Sequence, residues 1–343
     1  MQFKRTEDLK TGMRLARPIY NRDGVLLYER NSKLTTQGIV SIRNFGLIGI
    51  YILEPAEPVP PMTPEDIEFE RFQSVSVFAI KEELDRIKGL EKSEKGRTGA
   101  KIEVIVANIT KSYGHMDKKL NFIQNLRSPE DYIYKHALNV AILCAMMGNQ
   151  MNLKVDVRTD AVRAALLCGL HNYELIDKVC SPSSNVKRYC QQSDMILKGI
   201  EEDRLDYTTK FKRGAQVLSV ARIFDNMTAM SVERPPESEG ATLKYLLEKK
   251  DFYSEDAVNA LIRSINILNP GVCVELNTGD KALVLAENTQ DVLNPMVLSF
   301  SDNTIIDLSS RAYADVEIVD VMKTRDNRHV MDTEMLRKQG FNV

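Results

Sequence analysis

From Ser128 to about Leu268 apolar residues recur at helical spacing almost without interruption, and this constrains the fold more than any other feature of the chain. Ser128-Pro-Glu-Asp131 has the form of a helix start, with a capping serine, a first-turn proline and acids near the positive end of the dipole. It leads into a predicted helix over Tyr134 to Met151. Further helices are expected over Thr159 to Val179, Gly214 to Ser231, Ala241 to Lys249 and Ser254 to Leu268. Helices of this kind bury their apolar stripes against one another, so the centre of the molecule is expected to be a helical bundle.

The flanks read differently. Residues 1–55 form a small α/β module: strands over Met13 to Tyr20 and Val25 to Tyr28 flank Asn21-Arg-Asp-Gly24, a hairpin turn in which Gly24 supplies positive φ. A helix over Thr35 to Asn44 and a strand over Ile48 to Leu53 come next. Residues 56–64 are a proline-rich linker, and 65–127 are connecting helices interrupted by the polar Lys92 to Gly99. Within them Ile102, Val106, Ile109, Tyr113, Met116, Leu120 and Ile123 alternate four and three apart. Such a seam packs on the domain behind it or pairs two chains, and a homodimer is expected. The helical domain spans 128–268. Beyond it, 269–323 reads as a small β unit, with a hairpin around Asn277-Thr-Gly-Asp280, and 324–343 as a polar tail.

A net charge of −2, with acids and bases mixed along the chain, gives neither a basic face for nucleic acid nor a block for anionic membrane. No apolar run approaches the length of a membrane span, and the N-terminus lacks the apolar segment of a secretory signal, so a cytoplasmic protein without membrane insertion is expected. The five cysteines form no CxxC pair and fit reduced thiols. Cys168, His171, Cys180 and Cys190 could be read as a zinc set, but the last two spacings match no structural zinc pattern, and Cys168 lies inside an apolar run.

Of four histidines, His329 falls in the polar tail and His115 on the polar side of the seam. His136 and His171 instead sit in or beside apolar helices, where a histidine is either a hydrogen-bonded core residue or a metal ligand. Around them the sequence resembles the HD superfamily, specifically the HD-GYP domains of bacterial cyclic di-GMP signalling. Ser128 to Val140 is similar to that family's first helix, whose histidine binds metal; Ala164 to Asn172 resembles the helix ending in its His-Asp pair. Ala215 to Thr228 resembles the late helix that brings the last metal-binding aspartate, with Glu233-Arg-Pro235 after it. Asn269 to Asp280 resembles the family's C-terminal β unit, and Leu9 to Pro18 a module often fused ahead of such domains.

The resemblance implies a mainly α fold: an HD-type helical bundle with a small N-terminal α/β module and a small C-terminal β appendage. Its departures bear on function. The pair reads His171-Asn172, the late aspartate aligns with Arg222, and Asp225 matches a position after the ligand. No histidine lies between His171 and His329, so the family's further ligands are absent. His136 and His171 thus stand as vestigial ligands without anionic partners, and Arg222 is expected to fill the metal's place, paired with Asn172, Asp225 or Asp177 or with a bound anion. The expectation is a catalytically inactive signalling scaffold or sensor with no catalytic residue, cofactor or metal. Its candidate partners are signalling proteins, a second copy of itself, or a cyclic dinucleotide or other anionic ligand. Residual metal-dependent cyclic di-GMP phosphodiesterase activity and an HDOD-like protein-interaction module are the alternatives.

Overall fold

A computed structural model describes residues 2–21, 23–44, 49–53, 63–90, 100–122, 124, 127, 131–181, 184–204, 210–229 and 236–321. The proline-rich stretch, Ser128-Pro-Glu130, Glu233-Arg-Pro235, Ile123, His329 and the polar tail lie outside them. The fold is mainly α with small β parts, in two compact units, one built on Met1–Val75 and the other on Ser76–Asp320.

In the first unit, β1 (Gln2–Arg5) and β2 (Arg14–Leu15) both pair antiparallel with β5 (Gly49–Leu53), giving the order β1-β5-β2. Strand β1 has no counterpart among the expected strands. The expected strand over Met13 to Tyr20 divides into β2 and β3 (Ile19–Tyr20), and β3 pairs with β4 (Leu26–Tyr28). Gly24 takes φ +76° in the intervening turn, where the Asn21 side-chain oxygen accepts from the backbone N–H groups of Asp23 and Val25, both at 2.9 Å. Leu15, Ile39, Ile42, Ile50 and Ile52 close the core beneath α1 (Thr36–Asn44). Helix α2 (Pro64–Gly89) opens on a reciprocal cap. The Thr63 hydroxyl accepts from Asp66 N–H at 3.1 Å, and the Asp66 carboxylate accepts from Thr63 N–H at 2.9 Å. The division between the two units falls part-way along α2, between Val75 and Ser76.

The second unit gathers helices α3 (Ala100–Tyr113), α4 (Tyr132–Gln150), α5 (Val155–Leu167), α6 (Tyr173–Val179), α7 (Val186–Glu201), α8 (Arg213–Thr228), α9 (Glu239–Glu248) and α10 (Glu255–Ser264). Helix α4 is buried from His136 through Gly148 because α3, α5, α8 and α10 surround it. A helix that is apolar on all sides has no other stable place. Two elements depart from the helices expected of the sequence. The expected helix over Thr159 to Val179 is broken by a 3-10 turn at Cys168–Leu170 into α5 and α6, and α7 has no counterpart among the individual helices assigned from the sequence. Helix α7 packs closely on α8: a Cβ on Gly214 would meet the Tyr189 ring at 2.4 Å, so only glycine admits this spacing.

Over α3 the seam packs on the domain behind it, one of the two uses its spacing allows. Helix α3 ends at Tyr113, and Ile102, Val106, Ile109 and Tyr113 are buried where α3 meets α4 and α5. Leu120 instead bridges to Ile265, exchanging backbone bonds with Ser264 and Asn266, both at 2.9 Å. These apolar positions serve the chain's own core.

The C-terminal β unit belongs to the same compact unit as the helices. Strands β6 (Cys273–Leu276), β7 (Lys281–Ala286), β8 (Met296–Ser299), β9 (Ile305–Asp307) and β10 (Ile318–Val321) form a sheet in the order β10-β6-β7-β8-β9. Val274, Leu276, Ala282, Val284 and Val297 alternate onto its buried face. The β6–β7 hairpin turns at Gly279, φ +85°, as its Asn-Thr-Gly-Asp sequence predicts, whereas β10 was not anticipated. No helix among the described residues is long and apolar enough to cross a membrane.

Candidate functional site

Where α4 and α8 cross, polar side chains interrupt an otherwise apolar interior. His136 and Asn139 lie three apart on α4, hence on one face; Asp225 and Thr228 do the same on α8. Gln124 and Arg127 come from the segment ahead of α4. Asp225 joins the group: its Oδ2 faces His136 Nδ1 at 2.6 Å, and its Oδ1 accepts from Arg127 at 2.6 Å and from Asn139 and Gln124, both at 3.0 Å. Gln124 Oε1 accepts from Arg127 at 2.8 Å and Asn139 at 2.9 Å, and the Gln124 amide also donates to Thr228 at 2.9 Å. Tyr132 covers the group. Its ring stacks on His136 with centroids 5.9 Å apart, the Arg127 guanidinium lies 5.1 Å from its centre, and its hydroxyl donates to Asn226 at 2.8 Å.

The electrostatics arise from this geometry. Arg127 and Asp225 are both fully buried. Burial alone would push the Asp225 carboxyl up, but the Arg127 charge and the hydrogen bond from His136 outweigh it and hold the group well below the usual carboxylate range. Burial pushes His136 down, assisted by the positive charges of Arg127 and Arg222 and opposed by Asp225. The imidazole is therefore neutral near pH 7. An ionised carboxylate can only accept, so the ring proton resides on Nδ1 and is donated to Asp225.

Arg222 lies one helical turn before Asp225 and goes elsewhere. Its Nη1 donates to Asp194 Oδ1 at 2.7 Å and to Ser193 Oγ at 2.9 Å, both on α7. Ser219 braces Ser193 at 3.0 Å, and the Tyr173 hydroxyl donates to the second Asp194 oxygen. Burial and that bond push the Tyr173 hydroxyl up to about 12. Of the three side chains expected to pair with Arg222, none is the one it uses. Asn172 caps α6, accepting from Leu175 N–H at 3.0 Å; Asp177 pairs with Lys187; and Asp225 belongs to Arg127 and His136. The α7 residues were missed because α7 itself was missed.

No family model, curated protein or solved structure matches this chain.

His136 and Asp225 are thus brought together, while His171 is not drawn into the interior. It is exposed, in left-handed backbone with φ +51° where the 3-10 turn ends. The carboxylate facing His136 is Asp225, not the side chain at 222 that the resemblance aligns with the ligand. These side chains do not fit a divalent cation. The carboxylate beside His136 is already bound by a buried guanidinium, and Arg222 adds positive charge nearby. Cys168 and Cys190 point their thiols at backbone carbonyls of Ala165 and Ala164, at 3.5 and 3.7 Å, and burial pushes both thiols up. No group of three or more metal-binding side chains occurs among the described residues.

Proposed function

We propose that this protein is a non-catalytic, HD-GYP-like signalling scaffold or sensor, with an HD-type bundle formed by α4 to α10. The arrangement supporting the bundle is the succession of α4 with His136, α5 running to the turn before His171, and α8 with Arg222 and Asp225, in the order the resemblance requires. The observation that carries the absence of catalysis is the saturation of Asp225 by Arg127, Gln124, Asn139 and His136. Hydrolysis of a phosphodiester by an HD-type centre needs a metal that lowers the pKa of a bound water. Here Arg222 stands at the position of the family's ligand, and the carboxylate that faces His136 is committed to an internal cation. A cytoplasmic setting and a partner drawn from cyclic di-GMP-related regulation belong to the same proposal.

The test is an assay of cyclic di-GMP hydrolysis with added manganese or iron. The reading expects no turnover above a no-enzyme control. Turnover that disappears in an Asp225→Asn variant with a wild-type circular dichroism spectrum would overturn it in favour of a phosphodiesterase with an unusual site.

A further inference from the structure

We infer that the groove between α6 and α7 binds a small organic anion with a flat apolar body. The inference rests on the groove alone, and it deepens the sensor reading by giving the sensor a ligand class. The groove is shallow and open, with a volume of about 560 Å³. Tyr173 of α6 forms one wall, and Arg188, Gln191, Asp194, Met195 and Lys198 of α7 line the rest. Met195 is half exposed at the middle of α7, an apolar and adaptable surface for a ring or chain to lie on.

Charge selects the ligand. Asp194 is the acid of the lining, and both its oxygens are engaged, one by Arg222 and the other by Tyr173. Its charge is offset from behind by a buried guanidinium. Arg188 has no ion-pair partner among the described residues. Lys198 has Glu202 at 3.6 Å, but both side chains are largely exposed, and such a pair is weak. Arg188 and Lys198 stand ten residues apart, about 15 Å along α7, so a small ligand meets one of them at a time; with Asp194 neutralised, either end complements an anion whose apolar body lies on Met195. The Gln191 amide adds a neutral donor and acceptor; that of Gln192 is held by the Lys212 N–H at 2.8 Å. Because Asp194 joins the groove to Arg222, a ligand that displaces the Tyr173 hydroxyl also alters the buried pair.

The test uses the full chain labelled with methyl-¹³C methionine, the Met195 signal being assigned by Met195→Leu. Phenyl phosphate is the probe, with inorganic phosphate and benzyl alcohol as its separate halves. The inference expects a saturable shift of the Met195 methyl with phenyl phosphate in the millimolar range or below. Each half should bind at least about tenfold more weakly, and Arg188→Gln with Lys198→Gln should weaken phenyl phosphate by about tenfold or more, the scale of a lost charge-assisted hydrogen bond. Absence of saturation, equal binding by inorganic phosphate, or unchanged affinity in the double variant would each overturn it. Phenyl phosphate binding together with cyclic di-GMP hydrolysis would remove the non-catalytic reading and leave this inference standing; the opposite pair of results would do the reverse.

Discussion

At the scale of single residues, the interior is organised by charges that have been taken from water and given partners. Breaking such a pair costs more than replacing it whole, since the surviving charge is left buried and alone. Arg127→Met should therefore destabilise the domain by about 3–5 kcal/mol. The double change Arg127→Met with Asp225→Leu should cost well below the sum of the two single changes. Urea unfolding of the three variants measures this, and additive costs would show that the pair is not coupled. Around Arg222 the order should be asymmetric. Asp194 is partly exposed and Arg222 is not, so Asp194→Ala should destabilise more than Arg222→Met, because water can reach the acid but not the guanidinium.

The same cluster fixes a pH dependence. His136 is held below its ordinary value in the fold, so the unfolded chain takes up a proton first, near pH 6.5, and stability falls as the pH drops from there towards the folded value. Asp225 is also held low, so its stabilisation is present above the unfolded carboxylate value near 3.8 and is lost as the pH falls below that. Urea midpoints measured from pH 7 to pH 4 should decline on the acid side of pH 6.5, and that early decline should be smaller in His136→Gln. An unchanged profile in the variant would contradict this assignment.

At the scale of elements, the contact of α7 with α8 places Arg222 against Asp194. Gly214→Ala should push the two helices apart and cost about 1–3 kcal/mol by overpacking, with a smaller cost when Tyr189→Leu is present to make room. A double-mutant cycle with no coupling would show that the close approach is incidental. The line along α3 makes a different point: Val106→Lys with Ile109→Lys should unfold the chain rather than separate two folded copies, since both side chains lie in its own core.

These elements also show what could be read from the sequence. Continuous apolar periodicity placed α4, and turn chemistry placed the hairpins at Gly24 and Gly279. Helix α7 escaped although its buried positions, Val186, Tyr189, Cys190, Ser193, Ile196 and Ile200, keep helical spacing. Ser193 interrupts the apolar series at its centre, where it is needed to receive Arg222. Missing α7 removed the partners of Arg222 and left Asn172, Asp177 and Asp225 as the apparent choices. Asp225 and Asn139 did carry a signal, as polar residues within apolar helices, which must find partners when buried. Gln124 and Arg127 did not, because they fall where the seam's periodicity ends at Ile123 and meet Asp225 through the tertiary fold. His171 was misplaced because helical spacing continues past the turn that ends α5 and leaves the ring exposed.

At the scale of the whole molecule, the α/β unit and the helical unit each carry a core, and the His136–Asp225–Arg127 cluster lies in the second. Arg127 pairs with Asp225 and Arg222 with Asp194, which suits a domain that holds a shape and presents surfaces. The central claim is that Asp225 serves Arg127 and His136 instead of a metal. Elemental analysis of protein expressed with supplemented iron, manganese and zinc tests it most directly. The account predicts far less than one equivalent of each metal per chain, unchanged in His136→Gln. About one equivalent per chain, lost in His136→Gln while the circular dichroism spectrum is retained, would contradict it.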